Sequence, residues 1–176
     1  LQLTPDSPVS LRFTGLTAEV TEHLQAAAES PPSHLELNGI PLVVQSATID
    51  AGADPWAGKI TYEALAAQHL IPGEPNSGHA ELAFASPTAF HSGGHTLPVP
   101  LPSLVYGSLV DKWNEFSPVA VSEEMRRYAQ ECVAMSRYQL RTRAVPGKGR
   151  AAQIGCVGWC RYVATNRDRY WLGVFQ

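Results

Sequence analysis

The chain has 176 residues, of which 44% are hydrophobic and 16% are charged, which is enough apolar material for one ordinary domain or two small ones and too much for a disordered chain. No stretch approaches 18 apolar residues, and the start shows no basic segment followed by an apolar one, so we expect neither a transmembrane helix nor a signal peptide. The formal net charge of -3, taken as a total, argues against a nucleic-acid partner.

Hydrophobic periodicity and turn residues predict four elements in the first 70 residues. They are a strand over 10–14, a helix over 18–29 capped by Thr17, a hairpin of 35–37 and 40–45 across Asn38-Gly39, and a short helix from its cap Thr61 through His69. The Pro- and Gly-rich loop over 71–78 follows them and predicts a domain boundary.

The second half predicts a longer series of elements. They are a strand over 79–85 ended by Ser86-Pro87, helices over 103–116 and 122–131, strands over 132–142 and 151–164 joined by a turn at 146–149, and a final helix capped by Asp168. The apolar stripe predicted for the helix over 103–116 comprises Leu104, Val105, Leu109 and Trp113. Gly155 and Gly158 inside the last strand indicate a bulge or a close approach of another backbone.

The order strand, helix, strand, strand, helix is that of the split βαβ or ferredoxin-like scaffold, which RNA-recognition modules also use. We therefore predict an α+β fold of tandem ferredoxin-like (RNA-recognition-motif-like) domains with the first and last parts missing. Residues 1–70 would be the C-terminal part of a first domain plus a linker helix. Residues 79–176 would be a second domain that lacks its last strand. The chain starts at Leu1 and not at a methionine, so we expect it to be a piece of a longer protein.

The three cysteines predict a reducing compartment. Cys132, Cys156 and Cys160 are odd in number and lie among apolar residues, which is typical of structural thiols in a cytoplasmic protein. All six histidines precede residue 96, so the cysteines have no histidine nearby in the sequence to complete a zinc site. We expect no metal and no cofactor.

The charges are distributed unevenly along the chain. Residues 1–110 contain two basic and ten acidic side chains, whereas residues 132–176 contain eight basic ones and a single acidic one, Asp168. Seven of the eight are arginines, which are suited to bidentate phosphate contacts and to stacking on bases. The asymmetry indicates either a polyanion-binding face or a solvated basic surface that pairs with the acidic half, and charge alone does not decide between them.

Residues 84–90 read Phe84-Ala85-Ser86-Pro87-Thr88-Ala89-Phe90, with Ser-Pro-Thr between two phenylalanines. This segment is similar to the F-x-S-P-T-x-F pattern of the CRISPR repeat-RNA (pre-crRNA) processing endoribonucleases of the RAMP superfamily, and several other segments resemble theirs in the same order. The other segments that resemble family patterns are 11–16, 61–65, 97–100, 105–109, 112–116, 137–142 and 155–158. Each piece is weakly specific, and the ordered set carries the resemblance over about residues 10–172.

The resemblance implies that the parent protein binds CRISPR repeat RNA, with other CRISPR-associated proteins as further partners and no membrane. It also implies cleavage without a metal, in which a 2′-hydroxyl attacks the phosphate and leaves a 2′,3′-cyclic phosphate. In that family a general acid–base histidine lies in a front segment and a Gly-rich loop lies near the end. We expect this chain to lack both, and therefore to be inactive by itself.

The candidate site residues follow from the charge pattern and the resemblance. His91 and His95 flank Ser92-Gly93-Gly94, which we expect to be a flexible loop, and they are either catalytic residues or exposed loop histidines without a catalytic role. Ser86 and Thr88 either contact RNA or cap the end of a strand. Trp159 and Tyr162 either stack on bases or are buried. The predicted RNA-binding cations are Arg137, Arg141, Arg143, Lys148 and Arg150.

Two other functions fit the same scaffold. One is a non-catalytic RAMP subunit that holds guide RNA in an effector complex, which a catalytic histidine in the parent would exclude. The other is an acylphosphatase-like or small-molecule regulatory domain, which predicts no affinity for RNA and which only the order of elements supports.

Overall fold

A computed structural model describes residues 7–37, 39–71, 77–146 and 152–175. The chain divides into two compact units, residues 1–60 and 61–176. The elements of the first unit are α1 (Ala18–Glu29), β1 (His34–Leu37) and β2 (Ile40–Val43). Those of the second are α2 (Tyr62–Leu70), β3 (His79–Thr88), β4 (Phe90–Ser92), β5 (His95–Leu97), α3 (Pro102–Phe116), α4 (Glu124–Cys132), β6 (Val133–Pro146), β7 (Ala152–Ala164) and α5 (Arg169–Phe175).

The first unit is a helix followed by a hairpin. The Thr17 hydroxyl accepts a hydrogen bond from the Val20 amide at 3.3 Å, which confirms the predicted cap of α1. β1 and β2 pair antiparallel across a turn in which Gly39 has φ 80°, whereas Asn38 lies outside the described residues. The strand predicted over 10–14 is wrong, because this segment has no regular structure and pairs with no other strand among the described residues.

The second unit is built on an antiparallel sheet of three strands in the order β3-β7-β6. One side of the sheet is buried under the helices, with Cys160 and Tyr162 of β7 against Met125 of α4. The Tyr162 hydroxyl donates to the carbonyl of Pro100, the residue two before α3, at 2.7 Å. Among the described residues, this core holds every buried hydrophobic residue of the helices except Ala66 of α2, and it fixes which side of β7 faces away from the helices.

Helix α2 belongs to the second unit. The sequence predicted a linker helix attached to the first domain, within residues 1–70. In the structure this helix packs against α5. Gly173 of α5 lies so close to the carbonyl of His69 that a Cβ atom at this position would collide with it. The Thr61 hydroxyl accepts from the Ala64 amide at 3.1 Å, so the predicted cap of this helix is confirmed.

Two segments before α3 differ from the expectation. β3 does not end at Ser86-Pro87 but continues to Thr88 with a shift of register after Phe84, because Gly155 of β7 leaves room for the backbone there. A Cβ on Gly155 would lie 2.7 Å from the Pro87 carbonyl carbon. The segment expected to be a flexible loop is instead the hairpin of β4 and β5, whose turn glycines have φ 57° and 78°, as a two-residue type I′ turn requires.

Candidate nucleic-acid interface

The side of the sheet that faces away from the core carries the arginines. Directly opposed residues of antiparallel strands lie on the same side of a sheet. Cys160 and Tyr162 face the core, so their neighbours Trp159 and Arg161 face the other way. Arg161 pairs with Arg137 of β6, and the row continues along β6 through Arg141 and Arg143. We call this side of the sheet the arginine face.

The predicted arginine cluster is therefore partly brought together. Arg137, Arg141 and Arg143 are exposed and lie at alternate positions of β6 on the arginine face, where Arg137 to Arg143 spans about 20 Å along the strand. A bulge between Met135 and Arg137 sets this alternation, because one extra residue inverts which side the following residues occupy.

The remaining two predicted cations, Lys148 and Arg150, lie outside the described residues.

The arginine face is short of negative charge. The ion pairs of the described residues involve Arg126 and Arg127 of α4 and not the arginines of this face. The acid on the face is Glu81 of β3, which stands opposite Arg161 in the register without forming an ion pair within 4.0 Å. A set of arginines without carboxylate partners keeps its positive potential available for a polyanion.

Trp159 lies in the middle of the arginine face. It is half-buried, and its indole Nε1–H donates to Oε1 of Gln139 on β6 at 3.3 Å. On its other side stands Ala83 of β3, whose small side chain leaves space above the sheet. Tyr162 is fully buried, so burial and not stacking is its role, whereas the position of Trp159 suits stacking.

Sequence reasoning missed a pocket at one end of this face. Three arginines line it, from β6, from β7 and from the loop before α5, together with His79 of β3. Its volume is about 290 Å³. The alternation of Trp159 and Arg161 along β7 indicated that both lie on one side of the sheet. The register that brings Arg137 beside Arg161, however, depends on the bulge in β6.

Ser86 and Thr88 lie at the far end of β3. The Thr88 hydroxyl donates to the Ser86 carbonyl at 3.0 Å, and Thr88 pairs with Cys156 across the shifted register. The contact is local and belongs to the irregular end of the strand.

His91 and His95 lie on the β4–β5 hairpin and are exposed. His91 stands opposite Thr96, with 3.3 Å between its Nδ1 and the threonine Oγ1, whereas His95 stands opposite Ser92. Adjacent cross-strand pairs point to opposite sides of a hairpin, so the two imidazoles do not converge on one point.

The thiols are arranged for packing. Cys156 and Cys160 are buried, and burial raises the pKa of both thiols, which keeps them in the protonated, unreactive form. Among the residues that the structure describes, no group of three or more His, Cys, Asp or Glu side chains could hold a metal ion. Nor does any helix in this described part have the length and hydropathy to span a membrane.

Comparisons with known proteins identify relatives of the chain. The family model for the CRISPR-associated endoribonuclease Cas6 matches residues 82–174, while no curated protein matches. Three solved structures illustrate the likeness. The product complex of one Cas6 is 27% identical with a TM-score of 0.69, and covers 91% of this chain and 64% of that chain. The substrate-mimic complex of the same Cas6 is 26% identical with a TM-score of 0.68, and covers 90% of this chain and 64% of that chain.

The third structure, Thermus thermophilus Cas6, is 19% identical with a TM-score of 0.65, and covers 91% of this chain and 76% of that chain, which shows the fold alone. The chain spans 64% of the length of the first two structures. The likeness confirms the expected α+β fold of tandem ferredoxin-like units. Since the family model matches more than half of the sequence, from β3 to α5, the chain belongs to the family of the CRISPR-associated endoribonuclease Cas6.

Proposed function

We propose that the protein containing this chain binds CRISPR repeat RNA and cleaves it to guide RNAs. The arginine face carries the proposal: exposed arginines without carboxylate partners line one strand of the segment that the Cas6 family model matches. Two solved relatives, a Cas6 product complex and a Cas6 substrate-mimic complex, are consistent with an RNA substrate. Arg137, Arg141, Arg143, Lys148 and Arg150 bind phosphates in this proposal.

The proposed chemistry is a metal-independent transesterification. The 2′-hydroxyl attacks the adjacent phosphorus, the P–O5′ bond breaks, and the products are a 2′,3′-cyclic phosphate and a 5′-hydroxyl. The step needs a base for the 2′-hydroxyl proton, an acid for the leaving oxygen, and cations around the phosphate. His91 and His95 face opposite sides of their hairpin, so either one, and not both, is a candidate for one of these proton transfers, and Ser86 and Thr88 are candidate RNA contacts. The proposed place of action is the cytoplasm.

The binding half of the proposal is tested by salt titration. Neutralising Arg141, Arg143, Lys148 and Arg150 together to glutamine should weaken repeat-RNA binding and flatten the plot of log K against log salt concentration. The expected change in slope is about 0.7–0.9 for each lost phosphate contact. Arg127→Gln is the matched control, because Arg127 is an exposed arginine of α4 that is already paired with Glu131. An unchanged slope in the fourfold variant would refute the assignment of these residues.

The cleavage half is tested with end-labelled repeat RNA and the full-length protein in the presence of EDTA. We expect a product with a cyclic phosphate, identified by its resistance to phosphatase until acid opens the ring. His91→Ala and His95→Ala should reduce the rate if either imidazole transfers a proton, since general acid–base catalysis contributes about 10²–10⁴-fold. Tight binding without cleavage would instead support the non-catalytic RAMP subunit, and absence of RNA binding would overturn the proposal.

A further inference from the structure

The pocket at the end of the arginine face has a cationic lining. Arg137 of β6, Arg161 of β7 and Arg167 of the following loop line it, together with the imidazole of His79 and the hydroxyl-bearing Ser136. No Asp or Glu is among its lining residues. Three guanidinium groups around a concave space of about 290 Å³ provide planar donors that match the geometry of phosphate oxygens.

One donor of this pocket lacks a partner, whereas the Ser136 hydroxyl already donates to the Arg161 carbonyl and His79 Nδ1 lies 3.3 Å from the Ser77 carbonyl. Nε of Arg161 is buried and has no hydrogen-bond partner among the described residues, which is unusual because a buried donor left unpaired is costly. The ion pairs of the described residues all lie on α3 and α4, so Arg137, Arg161 and Arg167 form none among these residues, although Glu81 stands opposite Arg161 in the register. An anion that enters the pocket and accepts a hydrogen bond from this Nε would remove the cost of the unpaired donor.

An aromatic ring lies next to the pocket on the same face. Trp159 precedes Arg161 by two residues on β7, which places it about 7 Å away along the strand. Its indole Nε1–H is tied to Gln139, and this bond orients the ring relative to the sheet. A nucleotide could therefore hold its phosphate among the arginines while its base covers the ring.

We propose that this pocket binds one phosphate group of an unpaired RNA strand, with the neighbouring base stacked on Trp159. The inference rests on the proposed function and names the part of the RNA that this end of the sheet takes. A base in a duplex has both faces covered by its neighbours, and the grooves of A-form RNA do not offer bases for stacking, so stacking on an aromatic side chain requires a single strand. Arg141 and Arg143, farther along β6, remain available to other phosphates.

The test measures binding of a labelled eight-nucleotide oligoadenylate to the full-length protein by fluorescence anisotropy, beside an RNA duplex of the same length. Arg161→Gln combined with Arg167→Gln should weaken oligoadenylate binding roughly tenfold, the effect of losing charged hydrogen bonds. Duplex binding should change much less. Arg167→Gln alone, in a loop, provides a second variant if the change inside β7 impairs folding. Arg127→Gln should leave both affinities unchanged.

The stacking step has its own readout. Oligoadenylate should quench the intrinsic tryptophan fluorescence of the wild-type protein. Trp159→Leu should lose that quenching and weaken binding several-fold, while the three other tryptophans of this chain still report an intact fold. Quenching that survives in Trp159→Leu would overturn the stacking assignment.

Two further outcomes would overturn the phosphate assignment: unchanged oligoadenylate affinity in both arginine variants, or an equal loss for the duplex. Cleavage of repeat RNA is measured on the same preparations. If the wild-type protein cleaves repeat RNA but the variants bind oligoadenylate normally, only this inference is refuted. If the wild-type protein neither binds nor cleaves repeat RNA, the proposed function is refuted.

Discussion

Two glycines of β7 determine how its neighbours approach. Gly158 has φ 127°, and a Cβ there would collide with the carbonyl oxygen of Gln139 on β6. Gly155 admits the backbone of Pro87 and Thr88, as described above. The sequence indicated a bulge or a close approach at these two positions, and the structure confirms it. Only glycine both adopts the positive φ of position 158 without strain and leaves the space there free of a side chain.

Gly158→Ala should reduce the free energy of unfolding by about 2–4 kcal/mol, because strained backbone and steric overlap add at this position. Equilibrium unfolding in urea measures the loss. The control is Gly93→Asn in the β4–β5 turn, where φ is 57° and a Cβ would have nothing within 4 Å. Asparagine tolerates that region of φ, so the control should change stability by less than about 1 kcal/mol. Equal effects of the two substitutions would contradict this account of β7.

At the scale of elements, α3 shows where periodicity misjudged a face. The predicted stripe included Leu109, but this residue is 50% exposed, while Tyr106 and Val110 are buried beside Val105. Leucine is apolar wherever it lies, so the pattern alone does not separate a buried position from a tolerated exposed one. Contact with β7 and α5 decides the face, since the Tyr106 ring lies 5.6 Å from Tyr162 and 5.0 Å from Phe175.

Trp113 and Leu109 provide a matched pair on this helix. The Trp113 indole donates to the Val119 carbonyl at 2.6 Å and packs edge-on against Tyr62 at 5.3 Å. Trp113→Ala should therefore lower stability by about 2–4 kcal/mol, and Leu109→Ala by less than about 1 kcal/mol. Thermal unfolding of the two variants compares them. If Leu109→Ala proved the more destabilising, the face assigned to α3 would be wrong.

At the scale of the whole chain, the two units differ in burial. None of the described residues between 7 and 60 is buried, and large apolar side chains such as Phe13 and Trp56 are 64% and 70% exposed. The second unit contains the buried cluster around Met125, Cys160 and Tyr162. Because burial of apolar surface is the main source of stability, the two units should differ in their resistance to opening.

Amide hydrogen exchange of the 176-residue chain should reveal this difference. We expect protection factors in β7 to exceed those in α1 and the β1–β2 hairpin by about a hundredfold or more, because low burial permits local opening. Exchange measured on proteolytic peptides by mass spectrometry gives the comparison within one sample. Equal protection of the 18–43 and 156–164 peptides would show that the first unit is stabilised in a way that burial does not capture.

The candidate site could be predicted in part. Alternation along β6 was enough to place Arg137, Arg141 and Arg143 on one side of a strand, because a period of two is a property of any strand. The pocket could not be predicted, since it joins Arg161 and Arg167 to Arg137 across strands and a loop. Such a meeting depends on register, and the bulge between Met135 and Arg137 has no local signal in the residues around it.

The sequence by itself determined the local elements: the caps at Thr17, Thr61 and Asp168, the hairpin at Gly39, and the glycine positions of β7, because each depends on residues a few positions apart. It also indicated the family, through segments in a fixed order. Only the tertiary structure decided which face of α3 is buried, that β3 continues past Ser86-Pro87, and that α2 packs on α5. Those outcomes depend on contacts between residues far apart in the chain. Local propensity does not include the energies of such contacts.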